Sequence, residues 1–142
     1  MPEPMTPDQR RAFLRDGTRT AIIATTRADG RPHAVPVWFV LDGDDILIST
    51  AENTVKGKDI RRDPRVTVVA DDAAPPYAFV KVDGVAEVIR DAEEIRRVGT
   101  EIGRRYLGDE GAAGFGEYAS RPGGVIVRVR PEHTVAVDRI AG

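Results

Sequence analysis

Ile48-Ser49-Thr50-Ala51-Glu52-Asn53-Thr54-Val55-Lys56-Gly57-Lys58 is the stretch on which the reading turns. An apolar run, Ile46 to Thr50, ends in two hydroxyl residues, and a polar segment opens a few positions later. Asn53 or Thr54 can cap a short helix there, reaching Arg62. Asp63-Pro64 stops it, because the residue before a proline avoids the helical region. A strand handing over to a helix start exposes unpaired backbone N–H groups, and hydroxyls with a lysine beside them complete an anion cradle. Lysine is scarce in this chain: of 21 basic residues only Lys56, Lys58 and Lys81 are lysines, and two of them lie here. The plainer alternative is a solvated helix face carrying Lys58, Arg61 and Arg62, with Ser49 and Thr50 merely ending a strand.

Upstream, the pattern is β. Thr20 to Arg27 is rich in Ile, Ala and Thr, and Ala28-Asp29-Gly30 is a hairpin signal. The return strand is expected over Pro32 to Leu41, with Pro36 marking an edge, a bulge or a break. Asp42-Gly43-Asp44-Asp45 turns the chain into Ile46–Thr50, which makes a three-stranded antiparallel meander. Before it, Thr6, Pro7 and Gln9 form a capping-box start for a helix that shows Phe13 and Leu14 to one side and stops at Gly17. That helix is expected to lie as a lid over a sheet edge.

Downstream, Arg65 to Ala70 and Ala78 to Arg90 are further strands, the second bent near Gly84. Asp91 with Glu94 caps a helix whose Ile95, Val98, Ile102 and Tyr106 share one face and which Gly108 closes. Gly111 to Gly116 then precedes a short helix near Glu117–Ala119. Val125–Val129 and Thr134–Val137, parted by Pro131, end the pattern. The expected architecture is mainly β (α+β): one barrel-like domain over 1–142, core 6–137, with six or seven antiparallel strands and short peripheral helices.

Composition excludes several chemistries. The 142 residues carry a net charge of −2, far from the basic balance of a duplex-DNA binder, so no nucleic-acid partner is expected. There is no cysteine, hence no disulfide, thiolate nucleophile or zinc finger, and two histidines are too few for most catalytic zinc sites. No apolar run approaches a membrane span, and the first residues lack the pattern of a signal peptide, so a cytoplasmic protein without membrane insertion is expected.

Thr50, Thr54 and Lys56, followed by Asp59-Ile60-Arg61-Arg62-Asp63-Pro64-Arg65-Val66, resemble the phosphate-binding strand–helix–strand segment of the split β-barrel flavin and deazaflavin oxidoreductases. That superfamily includes pyridoxamine 5′-phosphate oxidase. The Asp29-Gly30 hairpin, the Pro36-Val37-Trp38 strand and the Arg130-Pro131-Glu132-His133 break follow in the matching order, so the resemblance spans about Thr6 to Val137. It implies an FMN-binding split-barrel fold and a homodimer with two cofactor sites at the subunit interface. In the oxidases, the strand equivalent to Val35–Leu41 carries an arginine and a lysine, and an arginine precedes the lysine where Val55 stands here. These departures turn the resemblance toward the short branch that uses the deazaflavin coenzyme F420, with FMN as the alternative cofactor.

On that resemblance Ser49, Thr50, Thr54 and Lys56 would receive the cofactor phosphodiester, and Lys58 and Arg61 would add charge for the phosphate or for an oligoglutamate tail. Pro36, Val37 and Trp38 would line the ring, although a tryptophan is equally a core or dimer-interface anchor. The activity implied is hydride transfer from the reduced cofactor to an unsaturated small-molecule acceptor. A flavin-type carrier without turnover is the reading from another class, and a heme role is disfavoured by the few histidines. His33 and His133 carry no assigned role. Tyr77 and Tyr118 are minor pocket candidates, and the pairs Arg96-Arg97 and Arg104-Arg105 read as solvated helix faces.

Overall fold

The computed structural model describes residues 2–141; Met1 and Gly142, the ends of the expected domain, lie outside the described residues. Eight strands and four helices follow one another: β1 (Glu3–Pro4), α1 (Pro7–Arg15), β2 (Ala21–Thr26), β3 (Pro32–Val37), β4 (Phe39–Asp42), β5 (Asp45–Ala51), α2 (Val55–Arg62), β6 (Arg65–Asp72), β7 (Ala78–Ile89), α3 (Ala92–Leu107), α4 (Asp109–Ala119) and β8 (Gly124–Asp138). The strands form one antiparallel sheet in the order β3-β2-β6-β7-β8-β5-β4, and β1 adds to β8. This is the mainly antiparallel split-barrel arrangement expected, with helices at its periphery.

The meander does not form. The run expected as one strand over Pro32–Leu41 breaks at Trp38, and the two pieces lie at opposite ends of the strand order. β3 pairs only with β2 and β4 only with β5. Pro32 and Pro36 have no N–H to give to a second neighbour, so β3 suits an edge. Trp38 is therefore the point at which the chain passes from one side of the barrel to the other.

Burial explains the apolar runs. Ile46 and Ile48 enter the barrel interior with Phe39, Val68, Val80, Val82, Val127 and Val129, whereas Leu47 and Ile126 face outward against α3 and α4. A strand covered on both faces reads as continuous rather than alternating hydrophobicity. The outer layer holds Ile95, Val98, Ile102 and Ala119, with half-buried Trp38, Tyr106 and Phe115 packed on it.

Two further expectations are corrected. The glycine-rich run is itself helix: α4 begins at Asp109 and contains Gly111, Gly114 and Gly116. The compensation is close approach to α3. A Cβ on Gly103 would lie 2.6 Å from the Phe115 Cβ, and one on Gly116 would lie 2.2 Å from the Thr100 hydroxyl. Helical glycine is unfavourable in isolation, but here it permits a helix hairpin that larger residues would force apart. The closing strands are also one element, β8. Pro131 is absorbed by a register shift opposite Asp83 and Gly84 that leaves Glu132 unpaired. Gly84 is required there, since a Cβ would meet the Arg130 carbonyl at 2.5 Å.

The expected caps are present. The Thr6 hydroxyl accepts from Gln9 N–H while the Gln9 side chain accepts from Thr6 N–H. Asp91 accepts from Glu94 N–H. α1 packs Leu14 into the barrel interior, so it is a core element rather than only a lid.

Candidate functional site

Thr54, not Asn53, caps α2. Its hydroxyl accepts from Gly57 N–H at 3.1 Å and donates to the Ala51 carbonyl at 2.8 Å. The Thr50 hydroxyl lies 3.3 Å from that of Thr54, and Thr50 is 3% exposed. Both threonine hydroxyls thus bond within the strand-to-helix turn, and neither lines the cleft described next. Gly57 allows α2 to sit directly on the strand end, since a Cβ would meet the Ala51 carbonyl at 2.3 Å.

This turn aims Lys56 at a cleft of about 420 Å³ lined by Thr20, Pro36, Val37, Trp38, Ser49, Lys56, Ile102 and Phe115. Five of the residues singled out from sequence meet there: Pro36, Val37, Trp38, Ser49 and Lys56. Lys58 and Arg61 do not. They line a separate shallow depression with Arg62, sharing no residue with the cleft. The reason is helical phase, because Lys56, Lys58 and Arg61 project at different angles from an eight-residue helix.

The cleft joins two chemistries. Pro36, Val37, Trp38, Ile102 and Phe115 make a largely apolar wall suited to a flat ring, while Ser49 and Lys56 place a hydroxyl and an ammonium beside it. Lys56 is half-buried, and its pKa is held below the ordinary lysine range, first by burial and then by the charge of Arg121; no carboxylate among the described residues offsets either. An ammonium desolvated in this way is a poor partner for water and a good one for an anion.

Trp38 is held from behind. Tyr106 stacks on it with ring centroids 4.7 Å apart and planes 3° from parallel, and Phe115 tilts against it at 5.6 Å. The Tyr106 hydroxyl donates to the Arg19 carbonyl at 2.6 Å and accepts from Phe39 N–H at 3.2 Å. Arg105 is the correction to the solvated-face expectation. Its guanidinium donates to the carbonyls of Phe39 (2.7 Å), Leu14 (2.7 Å) and Gly17 (2.9 Å) and lies over the Phe39 ring. The other three arginines follow expectation more closely: Arg97 pairs with Glu94 and Glu101, Arg104 pairs with Asp109, and Arg96 is exposed. Arg105 and Tyr106 together pin the crossover at Phe39, the residue after Trp38.

The remaining candidates lie elsewhere. His33 is half-buried on the edge strand β3, with Nδ1 3.1 Å from the Arg27 guanidinium. His133 borders a second depression of about 450 Å³ with Arg10, Asp44 and Glu132, remote in lining from the first. Tyr77 is exposed in the turn before β7. Tyr118 is exposed one helical turn beyond Phe115 and does not line the cleft. Among the described residues no group of three or more histidines, cysteines or carboxylates is placed to hold a metal, and no helix is long and apolar enough to cross a membrane.

Sequence reasoning missed Thr20, Ile102, Phe115 and Arg121. Ile102 was visible only as a core position, and Phe115 was hidden in a glycine-rich run read as loop. Arg121 had no local signal, since its nearness to Lys56 arises from tertiary packing.

Comparison with known proteins agrees with this architecture. The family model described as pyridoxamine 5′-phosphate oxidase matches residues 6–138. A conserved hypothetical protein from Mycobacterium tuberculosis is 30% identical, with a TM-score of 0.85 over 95% of this chain and 86% of that one. An F420 reductase is 23% identical, with a TM-score of 0.68 over 87% and 94% of the two chains. The heme storage protein of Vibrio cholerae is 20% identical, with a TM-score of 0.72 over 93% and 96%. The last two show a shared fold only. With the family match covering nearly its whole length, this chain belongs to the pyridoxamine 5′-phosphate oxidase family, the split β-barrels of the flavin and deazaflavin oxidoreductases.

Proposed function

We propose that the protein is a coenzyme F420-dependent oxidoreductase, acting as a homodimer, that passes a hydride to an unsaturated small-molecule acceptor. The observation carrying this is the pairing, in one cleft, of a flat apolar wall with a half-buried lysine that has no offsetting carboxylate among the described residues. The lining fits a planar ring bearing an anionic chain, and its volume of about 420 Å³ suits a ligand that is completed from outside the chain. Likeness to an F420 reductase supports the same choice.

Bound there, a reduced deazaflavin supplies the hydride. The chain's own part is to hold and orient. Pro36, Val37 and Trp38 would receive the ring, Phe115 and Ile102 would keep water from one side, and Lys56 with Ser49 would hold the phosphodiester. Lys56 is the only basic side chain in the lining, which favours deazaflavin over FMN, because the oxidases that the chain resembles hold FMN with further basic residues. Neither histidine lines the cleft, so it offers no imidazole to a heme iron. Proton supply to the product needs no dedicated side chain if solvent provides it.

The test is equilibrium dialysis or fluorescence quenching with coenzyme F420 and with FMN, alongside the mass of the particle in solution. Deazaflavin binding to a dimer, followed by reduction of a quinone, tetrapyrrole or enone, supports the proposal. Tight FMN binding without deazaflavin binding overturns it, and deazaflavin binding with no turnover on that panel replaces it with a carrier. Lys56→Ala is expected to weaken deazaflavin affinity by about 1–3 kcal/mol with the fold intact.

A further inference from the structure

The second depression, of about 450 Å³, shares no lining residue with the ring cleft. Its floor belongs to the barrel interior: Leu14 of α1 and Val80 and Val82 of β7 are core residues, and Leu41 of β4 packs against them. It borders the place where the β7–β8 ladder slips, with Pro131 opposite Gly84 and Glu132 left without a partner. A regular ladder has no such gap, so the bulge sets a carboxylate beside an apolar floor.

The rim carries charges, and most of them are already matched. Arg11 pairs with Asp8 and, at 2.8 Å, with Asp44. Arg128 holds Asp45 at 2.8 Å and Asp42 at 2.9 Å. Of the Arg, Asp and Glu side chains at the rim, two are left over, one of each sign. Arg10 is half-buried and Glu132 is exposed, and among the described residues neither enters an ion pair, with the other or with any third group. A simple anion entering here would meet Glu132, and a simple cation would meet Arg10. A ligand bearing both signs answers both, and an apolar side chain on it covers the floor.

We propose that this depression is a second ligand site, for a small zwitterion with an apolar side chain, the chemistry of a free amino acid or a dipeptide. Arg10 holds the carboxylate, Glu132 holds the ammonium, and Leu14, Leu41, Val80 and Val82 receive the side chain. Arginine suits its part because its planar fork meets both oxygens of a carboxylate. The site stands apart from the cofactor reading, since none of these residues lines the ring cleft.

Isothermal titration calorimetry of the full chain with L-leucine and with leucyl-leucine tests the proposal. The comparisons are N-acetyl-leucine, which lacks the ammonium, and leucinamide, which lacks the carboxylate. At least one zwitterion should bind, one per chain, with its singly charged analogues about tenfold weaker. Arg10→Gln should weaken the zwitterion about tenfold and erase its advantage over leucinamide. Glu132→Gln should do the same for the advantage over N-acetyl-leucine. Neither side chain ties down another residue, so both variants should fold, which circular dichroism checks. Lys56→Ala should bind the zwitterion as the wild type does.

Methyl NMR places the ligand: signals of Leu14, Leu41, Val80 and Val82 should shift on titration, and that of Ile102 in the ring cleft should not. Absence of binding by both zwitterions overturns the site. So does N-acetyl-leucine or leucinamide binding as tightly as leucine, or an affinity unchanged by both rim substitutions. Shifts at Ile102 with the floor methyls silent move the binding to the ring cleft and overturn it as well.

Discussion

Replacing Tyr106 by phenylalanine removes one oxygen and keeps the ring that stacks on Trp38. That oxygen donates to the Arg19 carbonyl at 2.6 Å and accepts from Phe39 N–H at 3.2 Å. Phe39 is fully buried, so its N–H has no ready replacement in water, and an orphaned buried donor costs about 1–3 kcal/mol. Arg19 is half-buried and its carbonyl can recruit solvent, which adds little. We expect a net loss near 2 kcal/mol, roughly a thirtyfold fall in the ratio of folded to unfolded protein. Urea denaturation followed by circular dichroism and by the emission of Trp38, the single tryptophan, measures it. The midpoint should fall while the slope stays constant. Tyr118→Phe, at a residue 56% exposed, is the control and should change stability by less than about 0.5 kcal/mol. If Tyr106→Phe matches that control, the hydroxyl does not pin the crossover and the account of how Trp38 is positioned fails.

Arg105→Lys keeps the charge but cannot span the carbonyls of Leu14, Gly17 and Phe39; a loss of about 1–3 kcal/mol in the same denaturation assay is expected. Gly103→Ala drives a methyl group to within 2.6 Å of the Phe115 Cβ, and should destabilise by about 1–3 kcal/mol and weaken ligand binding at the cleft together. Lys56→Met should stabilise the protein without ligand or leave it unchanged, because burial and Arg121 both disfavour the charged form. By the same sign, the wild type gains stability as pH rises from the depressed Lys56 pKa toward the unfolded value, a trend absent from Lys56→Met in pH-dependent melts. Arg65 holds the Asp63 carboxyl down to about 2 from 3.8 through side-chain and backbone hydrogen bonds. Its stabilising contribution is complete above 3.8 and disappears as pH falls through about 2; NMR titration of Arg65→Gln should return the midpoint toward 3.8.

Local chemistry was legible in the residues themselves. A capping box at Thr6 and Gln9 and an Asx cap at Asp91 depend on neighbours within a few positions, so sequence suffices to place them, and it narrows the cap near Lys56 to Asn53 or Thr54. By contrast, Pro32–Leu41 carries a continuous strand pattern, and nothing nearby announces that Arg105 and Tyr106, more than sixty positions away, hold it at Phe39, just after Trp38.

Glycine shows the same division. Propensity alone reads Gly111–Gly116 as loop, because a lone helix gains nothing from glycine. The gain exists only once α3 lies against it, with Gly99, Gly103 and Gly116 letting the backbones approach. That hairpin brings Phe115 to the cleft and Arg121 toward Lys56.

What the sequence by itself determined was the helix caps and the strand-to-helix turn presenting Ser49 and Lys56, since hydrogen bonds between close neighbours govern both. Tertiary structure alone decided which face of α2 meets the cleft, leaving Lys58 and Arg61 outside it, and which distant arginine's charge acts on Lys56. Helical phase and packing between elements set those relations, and neither is encoded in any short stretch of chain.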